Sequence, residues 1–173
     1  AAMLARRQRQ VLQDHGEQLA AAARKDPGDL PVNAHHALEL IFLGDSDKAL
    51  PFIHRVLARE KNNEWGLMSK ALANMELGQS ALALDAWRQM VQVAPFQFHY
   101  RVGYIEHLLK DRQWAEAAAE ARRWLEIDPG IPEGRAFLRD ALIQLGQTKE
   151  AQEQNRIFQE LVRGLKEQQH GPG

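Results

Sequence analysis

The sequence has no cysteine, and this absence excludes several kinds of chemistry. A chain without thiols forms no disulfide bond, offers no thiolate to a metal ion and has no cysteine nucleophile. The compartment stays open, because such a chain suits the cytosol and the bacterial periplasm equally well. We expect a soluble protein in one of these two compartments.

Excess charge and long apolar runs are also missing. The 22 basic and 23 acidic residues give a net charge of −1, which argues against a nucleic-acid partner. A solvated helix face explains the basic run at residues 6–9 about as well as a nucleic-acid contact does. No apolar stretch approaches the roughly 20 residues that span a bilayer, so we expect no membrane insertion. No signal peptide is visible, although the start at Ala1-Ala2-Met3 leaves open a removed signal or an upstream domain.

Motifs of catalytic and metal sites are missing as well. The chain has no glycine-rich phosphate loop, no zinc-protease helix motif and no serine in a nucleophile elbow. His35 and His36 are adjacent and point to different faces of a helix, and His99 and His107 have no carboxylate at ligand spacing. We therefore expect no enzymatic activity, no cofactor and no metal site.

What the chain does contain is a period of 34 residues. Alanine recurs at every step, glycine at three steps with Arg112 in the missing place, and proline at three steps with Lys61 in the missing place. Leucine forms a fourth column, interrupted by Asn74. Self-similarity at such a period indicates a helical repeat protein. The columns are Ala49, Ala83, Ala117 and Ala151; Gly44, Gly78 and Gly146; Pro27, Pro95 and Pro129; and Leu40, Leu108 and Leu142.

Each period indicates a helix, a turn and a second helix. Glycine supplies the left-handed backbone that ends the first helix, and proline ends the second. Alanine marks the place where two antiparallel helices cross, because only a small side chain allows their close approach. A single hairpin cannot bury its own apolar face, so neighbouring hairpins must stack. No alternating run of β-branched residues indicates a strand, and we predict an all-α fold.

These columns resemble the tetratricopeptide repeat family over roughly residues 30–163. The stretches LALDAWRQMVQVAP and EAAAEARRWLEIDP show the alanine and the terminator of the pattern. The resemblance implies a right-handed α-solenoid of about four helical hairpins. We assign residues 1–29 to an N-terminal helix of an incomplete repeat, 30–63, 64–97 and 98–131 to three repeats, 132–168 to a degenerate repeat with a long C-terminal capping helix, and 169–173 to a disordered tail. Asp14-His15-Gly16 could instead break the N-terminal helix in two.

Some positions depart from the family pattern. Polar residues occupy places where the family usually has apolar or small side chains, and two aromatic residues fill a place where alanine is usual. These departures affect the expected packing angles and leave the expected fold unchanged. They are Lys70, Asn74, Arg139 and Asn155, with Trp124 and Phe158 in the alanine position.

In the resembling family, the first helix of each hairpin lines a concave groove that binds peptides or helices. Helical spacing places apolar and methionine side chains on that face in the first half of the chain and carboxylates in the second half. Trp65 shares this face, whereas Trp87, Trp114 and Trp124 have core positions. The predicted partner-binding residues are Leu38, Ile41, Phe42, Trp65, Met68, Leu72, Met75, Glu106 and Asp140.

The expected partner is therefore another protein. It would offer an amphipathic helix or extended segment that is apolar at one end and basic at the other. The lysines and asparagines with which some family members hold a C-terminal carboxylate are missing, because Ala34, Leu38, Met68 and Leu72 occupy those positions. Alternatively, the N-terminal helix or another domain covers this surface.

Two other functions stay open. Repeat arrays can pair end to end, which would make the chain a homo-oligomerising structural module. The chain could also be an accessory domain of a larger enzyme, of a cytochrome assembly factor or of a glycan export protein, as some bacterial members of the resembling family are.

Overall fold

The computed structural model describes residues 2–169, and it describes the side chains of residues 10, 11 and 14–168. Within these residues the chain forms nine α-helices and no strand. It divides into two compact units, Ala1–Tyr100 and Arg101–Gly173. Gln169 is the last residue of the last helix, and the rest of the predicted disordered tail lies outside the described residues.

Two helices fall within each predicted repeat, which confirms an all-α fold of helical hairpins. An additional helix, α1 (Ala2–Lys25), precedes them. The hairpin helices are α2 (Leu30–Phe42), α3 (Ser46–Arg59), α4 (Glu64–Glu76), α5 (Ser80–Val93), α6 (Phe98–Lys110), α7 (Trp114–Ile127), α8 (Pro132–Gln144) and α9 (Thr148–Gln169).

Helix α1 runs without interruption through Asp14, His15 and Gly16, so the alternative of two shorter helices is wrong. A glycine inside a helix costs roughly 1 kcal/mol relative to alanine but does not end it. A Cβ at Gly16 would lie 3.5 Å from Oε2 of Glu39 on α2, an ordinary contact distance, so α1 and α2 are neighbours at this point. His15 Nδ1 and Glu39 Oε1 are 2.6 Å apart and join the two helices.

The same turn connects the two helices of every hairpin. Three turns have glycine with a positive φ, and the fourth has Arg112 with a φ of 60°. The residue after the turn donates its N–H to a carbonyl five residues earlier, as Asp45 does to Leu40 at 2.8 Å. The missing glycine of the sequence column is thus replaced by a residue in the same backbone conformation. The three glycines are Gly44, Gly78 and Gly146, with φ of 83°, 70° and 72°.

Small residues lie where helices approach most closely. The four alanines of the 34-residue column are all buried, as their spacing predicts. Between neighbouring hairpins the approach is closer still, because a Cβ at Gly66 of α4 would lie 2.9 Å from Val56 Cγ1 and Leu57 Cδ2 of α3. Gly134 of α8 would meet Leu125 Cδ2 of α7 at 3.0 Å.

The second unit has charged groups in its interior. Arg101 of α6 and Glu120 of α7 are both buried and form an ion pair, and Arg123 also bonds to Glu120 at 2.7 Å. Tyr104 donates its hydroxyl to Glu116 at 2.6 Å. Burying charge is costly unless it is paired, and the Glu120 carboxylate is paired with two guanidinium groups.

The polar departures from the family pattern are paired in the same way. Lys70 Nζ lies 3.0 Å from Asp85 Oδ2 on the second helix of its hairpin, and Asn74 donates to the Lys70 carbonyl at 2.6 Å. In the last hairpin, Arg139 donates to Asn155 at 3.2 Å. Each departure therefore keeps a contact inside its own hairpin. Trp87 and Trp124 are buried, Trp114 and Phe158 are half-buried, and the guanidinium of Arg139 lies 5.6 Å from the centre of the Phe158 ring.

Candidate functional site

Trp65 lies in a small cleft at the N-terminal ends of α2 and α4. Its side chain is 53% exposed, and its ring centre is 6.1 Å from that of His35, with the ring planes at 71°. The cleft has a volume of about 260 Å³. We call it the Trp65 cleft; besides these two rings it is lined by Leu30, Pro31, Ala34, Glu60 and Asn63.

Capping side chains position both helices at this cleft. Asp29 accepts a hydrogen bond from the N–H of Val32 at 3.0 Å, and Asn63 accepts one from the N–H of Gly66 at 2.9 Å. Such caps contribute about 1 kcal/mol each to stability. Pro31 fits the first turn of α2, where a backbone N–H would have no helical partner. Local sequence therefore determines where α2 and α4 begin and how they present the cleft.

Two carboxylates accompany Trp65. Glu60 lines the cleft, and its Oε2 accepts a hydrogen bond from Asn63 at 2.7 Å. Glu64, the first residue of α4, accepts one from the hydroxyl of Tyr100 at 2.8 Å. Burial, together with this bond to Glu64, raises the pKa of the Tyr100 hydroxyl to about 12. Tyr100 is therefore protonated at neutral pH and holds the Glu64 carboxylate in place.

Further apolar side chains are exposed or half-buried on α2 and α4, which contact each other. Phe42, at the C-terminal end of α2, is 71% exposed. On α4, Met68, Leu72 and Met75 are half-buried and follow Trp65 at helical spacing. We call these five residues the α2/α4 face.

Leu38 and Ile41 lie in the core instead. They are 8% and 3% exposed, and Ile41 packs in a cluster with Ala37, Ala49 and Ile53. The reason is that α2 contacts three other helices, α1, α3 and α4, which leaves it little free surface. This corrects the expectation that both side chains face a ligand.

Glu106 and Asp140 belong to the second unit. Glu106 is exposed on α6. Asp140 on α8 is half-exposed and forms an ion pair with Arg139 at 2.7 Å. Because Arg139 already compensates the charge of Asp140, that carboxylate attracts a basic ligand less than its sequence position suggests. The part of both residues in partner binding stays a prediction.

Solved structures of helical repeat proteins match this chain over most of its length. A crystal structure of MamA matches with a TM-score of 0.80 at 12% identity, covering 96% of this chain and 90% of that one. MamA from Desulfovibrio magneticus RS-1, from residue 41 to its end, matches with a TM-score of 0.74 at 21% identity, covering 94% and 96%. A tetratricopeptide repeat protein from Parabacteroides merdae ATCC 43184 matches with a TM-score of 0.73 at 20% identity, covering 89% of this chain and 60% of that one. The fold is that of the tetratricopeptide repeat. No family model matches the chain, and no curated protein does.

On this tetratricopeptide-repeat fold the two adjacent histidines have different environments. His35 is exposed at the Trp65 cleft, whereas His36 is buried with its ring 4.5 Å from that of Phe52. Burial lowers the pKa of His36, against an opposing effect of Glu39. Among the residues that the structure describes, no three carboxylate or imidazole groups come together to hold a metal ion. No helix in the described part of the chain is long and apolar enough to cross a membrane.

Sequence reasoning missed Glu60 and His35 as neighbours of Trp65. One signal was available, because Glu60 shares the 34-residue period with Asp26 and Asp128, the acidic residues before two of the terminator prolines. A repeated acid beside the start of the next first helix indicates a carboxylate at that end of the repeat. No comparable signal singles out His35, which follows from the packing of α2 against α4.

Proposed function

We propose that the chain is a non-catalytic interaction domain that binds a segment of a partner protein on the α2/α4 face. The observation that carries this proposal is the exposure of two large aromatic side chains, Phe42 and Trp65, on neighbouring helices. Aromatic side chains exposed together on a protein surface are typical of interaction sites, where they contribute much of the binding energy.

The rest of the α2/α4 face supports the same proposal. Met68 and Met75 flank Leu72 on α4, and methionine side chains adapt to partners of different shape. Leu72 also packs against the core cluster of the first unit, so the face has a rigid base. Stacked helical repeats present extended surfaces of this kind to their partners. An amphipathic helix or an extended segment with apolar side chains on one side fits such a strip.

The experiment compares two variants in a pull-down from the source lysate. One carries Phe42→Glu and Trp65→Glu, which add charge at exposed positions and leave the core intact. The control carries Leu82→Glu, an equally drastic change at a side chain that is 49% exposed on α5, the second helix of its hairpin. Circular dichroism and thermal unfolding first establish that both variants are folded.

We expect the native chain and the Leu82→Glu control to retain the same partner, and the double variant to retain at least about tenfold less. A photo-crosslinking residue placed at position 42, but not at 82, should then attach to that partner. Equal retention by the double variant would contradict the proposal and place binding elsewhere on the chain. If the apparent mass of the native chain and of the Leu82→Glu control rises with protein concentration, and that of the double variant does not, the partner is a second copy of the chain. This outcome would favour the structural-module alternative.

A further inference from the structure

We infer that the Trp65 cleft binds a positively charged side chain, an ammonium or a guanidinium group, of the partner segment. This inference rests on the proposed function, because it assigns one pocket to one kind of residue of that segment. It also moves the basic contact away from Glu106 and Asp140, where the sequence alone suggested it, to the apolar half of the predicted surface.

The aromatic part of the cleft suits a cation. Tryptophan attracts cations through the face of its ring more strongly than other aromatic side chains do, and an exposed contact raises affinity roughly two- to fivefold. The edge-to-face contact with His35 at 6.1 Å favours one orientation of the indole. The apolar side chains of Leu30, Pro31 and Ala34 provide a surface for the methylene stem of lysine or arginine.

The charges around the cleft favour a cation as well. The N-terminal ends of α2 and α4 each bring about half a positive charge. A full carboxylate stands at each end, Asp29 before α2 and Glu64 at the start of α4, and Glu60 adds a third in the cleft itself. Lys61 follows Glu60 in the chain but is not among the cleft's lining residues. Arg59, which precedes Glu60, does not line the cleft either, so the charged side chain that does line it, Glu60, is negative.

An anion would find few donors at the same place. The N–H groups that helix ends usually offer to anions are partly used here, since Asp29 accepts from Val32 and Asn63 accepts from Gly66. Pro31 has no N–H at all. An incoming carboxylate would also meet Glu60. The helix ends therefore do not make this cleft an anion site.

The test follows the indole N–H signal of Trp65 by NMR while small mimics of side chains are added to the full chain. Butylammonium and butylguanidinium represent lysine and arginine, 1-butanol has the same stem without charge, and butyrate carries the opposite charge. Trp65→Phe assigns the signal. We expect a saturable shift with the two cations and at least about threefold weaker binding to Glu60→Gln. Glu126→Gln removes an exposed carboxylate of α7 and should bind as the native chain does.

Three outcomes would overturn the inference. An equal response to 1-butanol would make the cleft apolar without preference for charge. A response to butyrate alone would make it an anion site at the helix ends. A signal that none of the probes shifts would mean that the cleft binds none of these groups.

A pull-down with separate Phe42→Glu and Glu60→Gln variants distinguishes this inference from the proposed function. Loss of the partner with Phe42→Glu, full retention with Glu60→Gln and no shift with butylammonium would reject the cation pocket and leave the docking surface standing. Full retention with Phe42→Glu would reject the docking surface, whatever the cleft binds.

Discussion

Two hairpins that are 34 residues apart build the same fold with different chemistry. In α4/α5 of the first unit, Leu67 and Ala86 are buried apolar residues. The equivalent positions in α6/α7 are Arg101 and Glu120, which lie in the second unit, are equally buried and form an ion pair. The repeat thus specifies where a side chain lies, and either chemistry is stable there provided that both partners change together.

Breaking the buried ion pair of Arg101 and Glu120 should cause the largest loss in the free energy of unfolding. We expect Glu120→Ala to lower the free energy of unfolding by roughly 3 kcal/mol, because two arginines lose the carboxylate that they share. Urea unfolding followed by circular dichroism measures the change. The double variant Arg101→Leu/Glu120→Ala installs the residues of α4/α5 and should recover most of the loss. A single variant that costs less than about 1 kcal/mol would show that the pair matters little.

Each unit has one glycine that lies very close to a neighbouring helix, Gly66 in the first and Gly134 in the second, so alanine variants compare the packing of the two units. We expect Gly66→Ala to destabilise by about 2 kcal/mol, because its Cβ would meet Val56, a stiff β-branched side chain that is fully buried. Gly134→Ala should cost less, because the nearest atoms to its Cβ, Leu125 Cδ2 at 3.0 Å and Ile131 Cγ2 at 3.1 Å, lie farther away than the two atoms at 2.9 Å from Gly66.

Thermal unfolding of the glycine variants provides the measurement, and Gly164→Ala in α9 is the control. Nothing lies within 4 Å of a Cβ at Gly164, so alanine there should stabilise the helix by up to about 1 kcal/mol. If all three alanines had the same effect, close packing would not explain these glycines.

Exchanging arginine and glycine between two equivalent turns should change the free energy of unfolding by a smaller amount. Arg112 has a φ of 60°, a conformation that glycine adopts at no steric cost, so we expect Arg112→Gly to stabilise the chain by about 1 kcal/mol. Gly78→Arg should destabilise the equivalent turn of α4/α5 by a similar amount. Unfolding midpoints in urea that move in opposite directions would support this reading, and midpoints that both fall would contradict it.

The smallest expected effect is a loss of stability at alkaline pH, where Tyr100 ionises. The pKa of the Tyr100 hydroxyl is raised to about 12. The protonated hydroxyl therefore contributes fully to the free energy of unfolding below about pH 10, the ordinary pKa of tyrosine, and this contribution is lost as the pH rises from about 10 to 12. The free energy of unfolding should fall over this interval by an amount on the order of 1 kcal/mol. Tyr100→Phe should flatten the fall, and absorbance titration should show one less tyrosine ionising near pH 12. An unchanged slope in Tyr100→Phe would assign the loss to other groups.

Much of the fold could be predicted because each repeated residue type has a single structural role. The alanine column marks the helix crossings and the glycine column marks the turns, and both are where the period places them. The period even predicts the turn at Arg112, since a single missing glycine does not change the hydrogen bonds around it: Gln113 donates to Leu108 at 2.9 Å.

The candidate site was harder to predict. Helical spacing gives the direction of a side chain but not how closely the next helices approach, so Leu38 and Ile41 looked as available as Phe42. The pairing of Arg101 with Glu120 was equally hidden, because residues 19 apart are brought together only by the turn between their helices. Exposure and pairing depend on neighbours that a single helix pattern does not contain.

The turns also bear on how such a chain can change its length. A Cβ at Gly44, Gly78 or Gly146 would have nothing within 4 Å, and each of these turns uses the same backbone hydrogen bond. Removing or duplicating a segment that begins after one turn and ends with the next would therefore give a junction with the local geometry of the old one. Counted from turn to turn, the chain is modular in blocks of 34 residues.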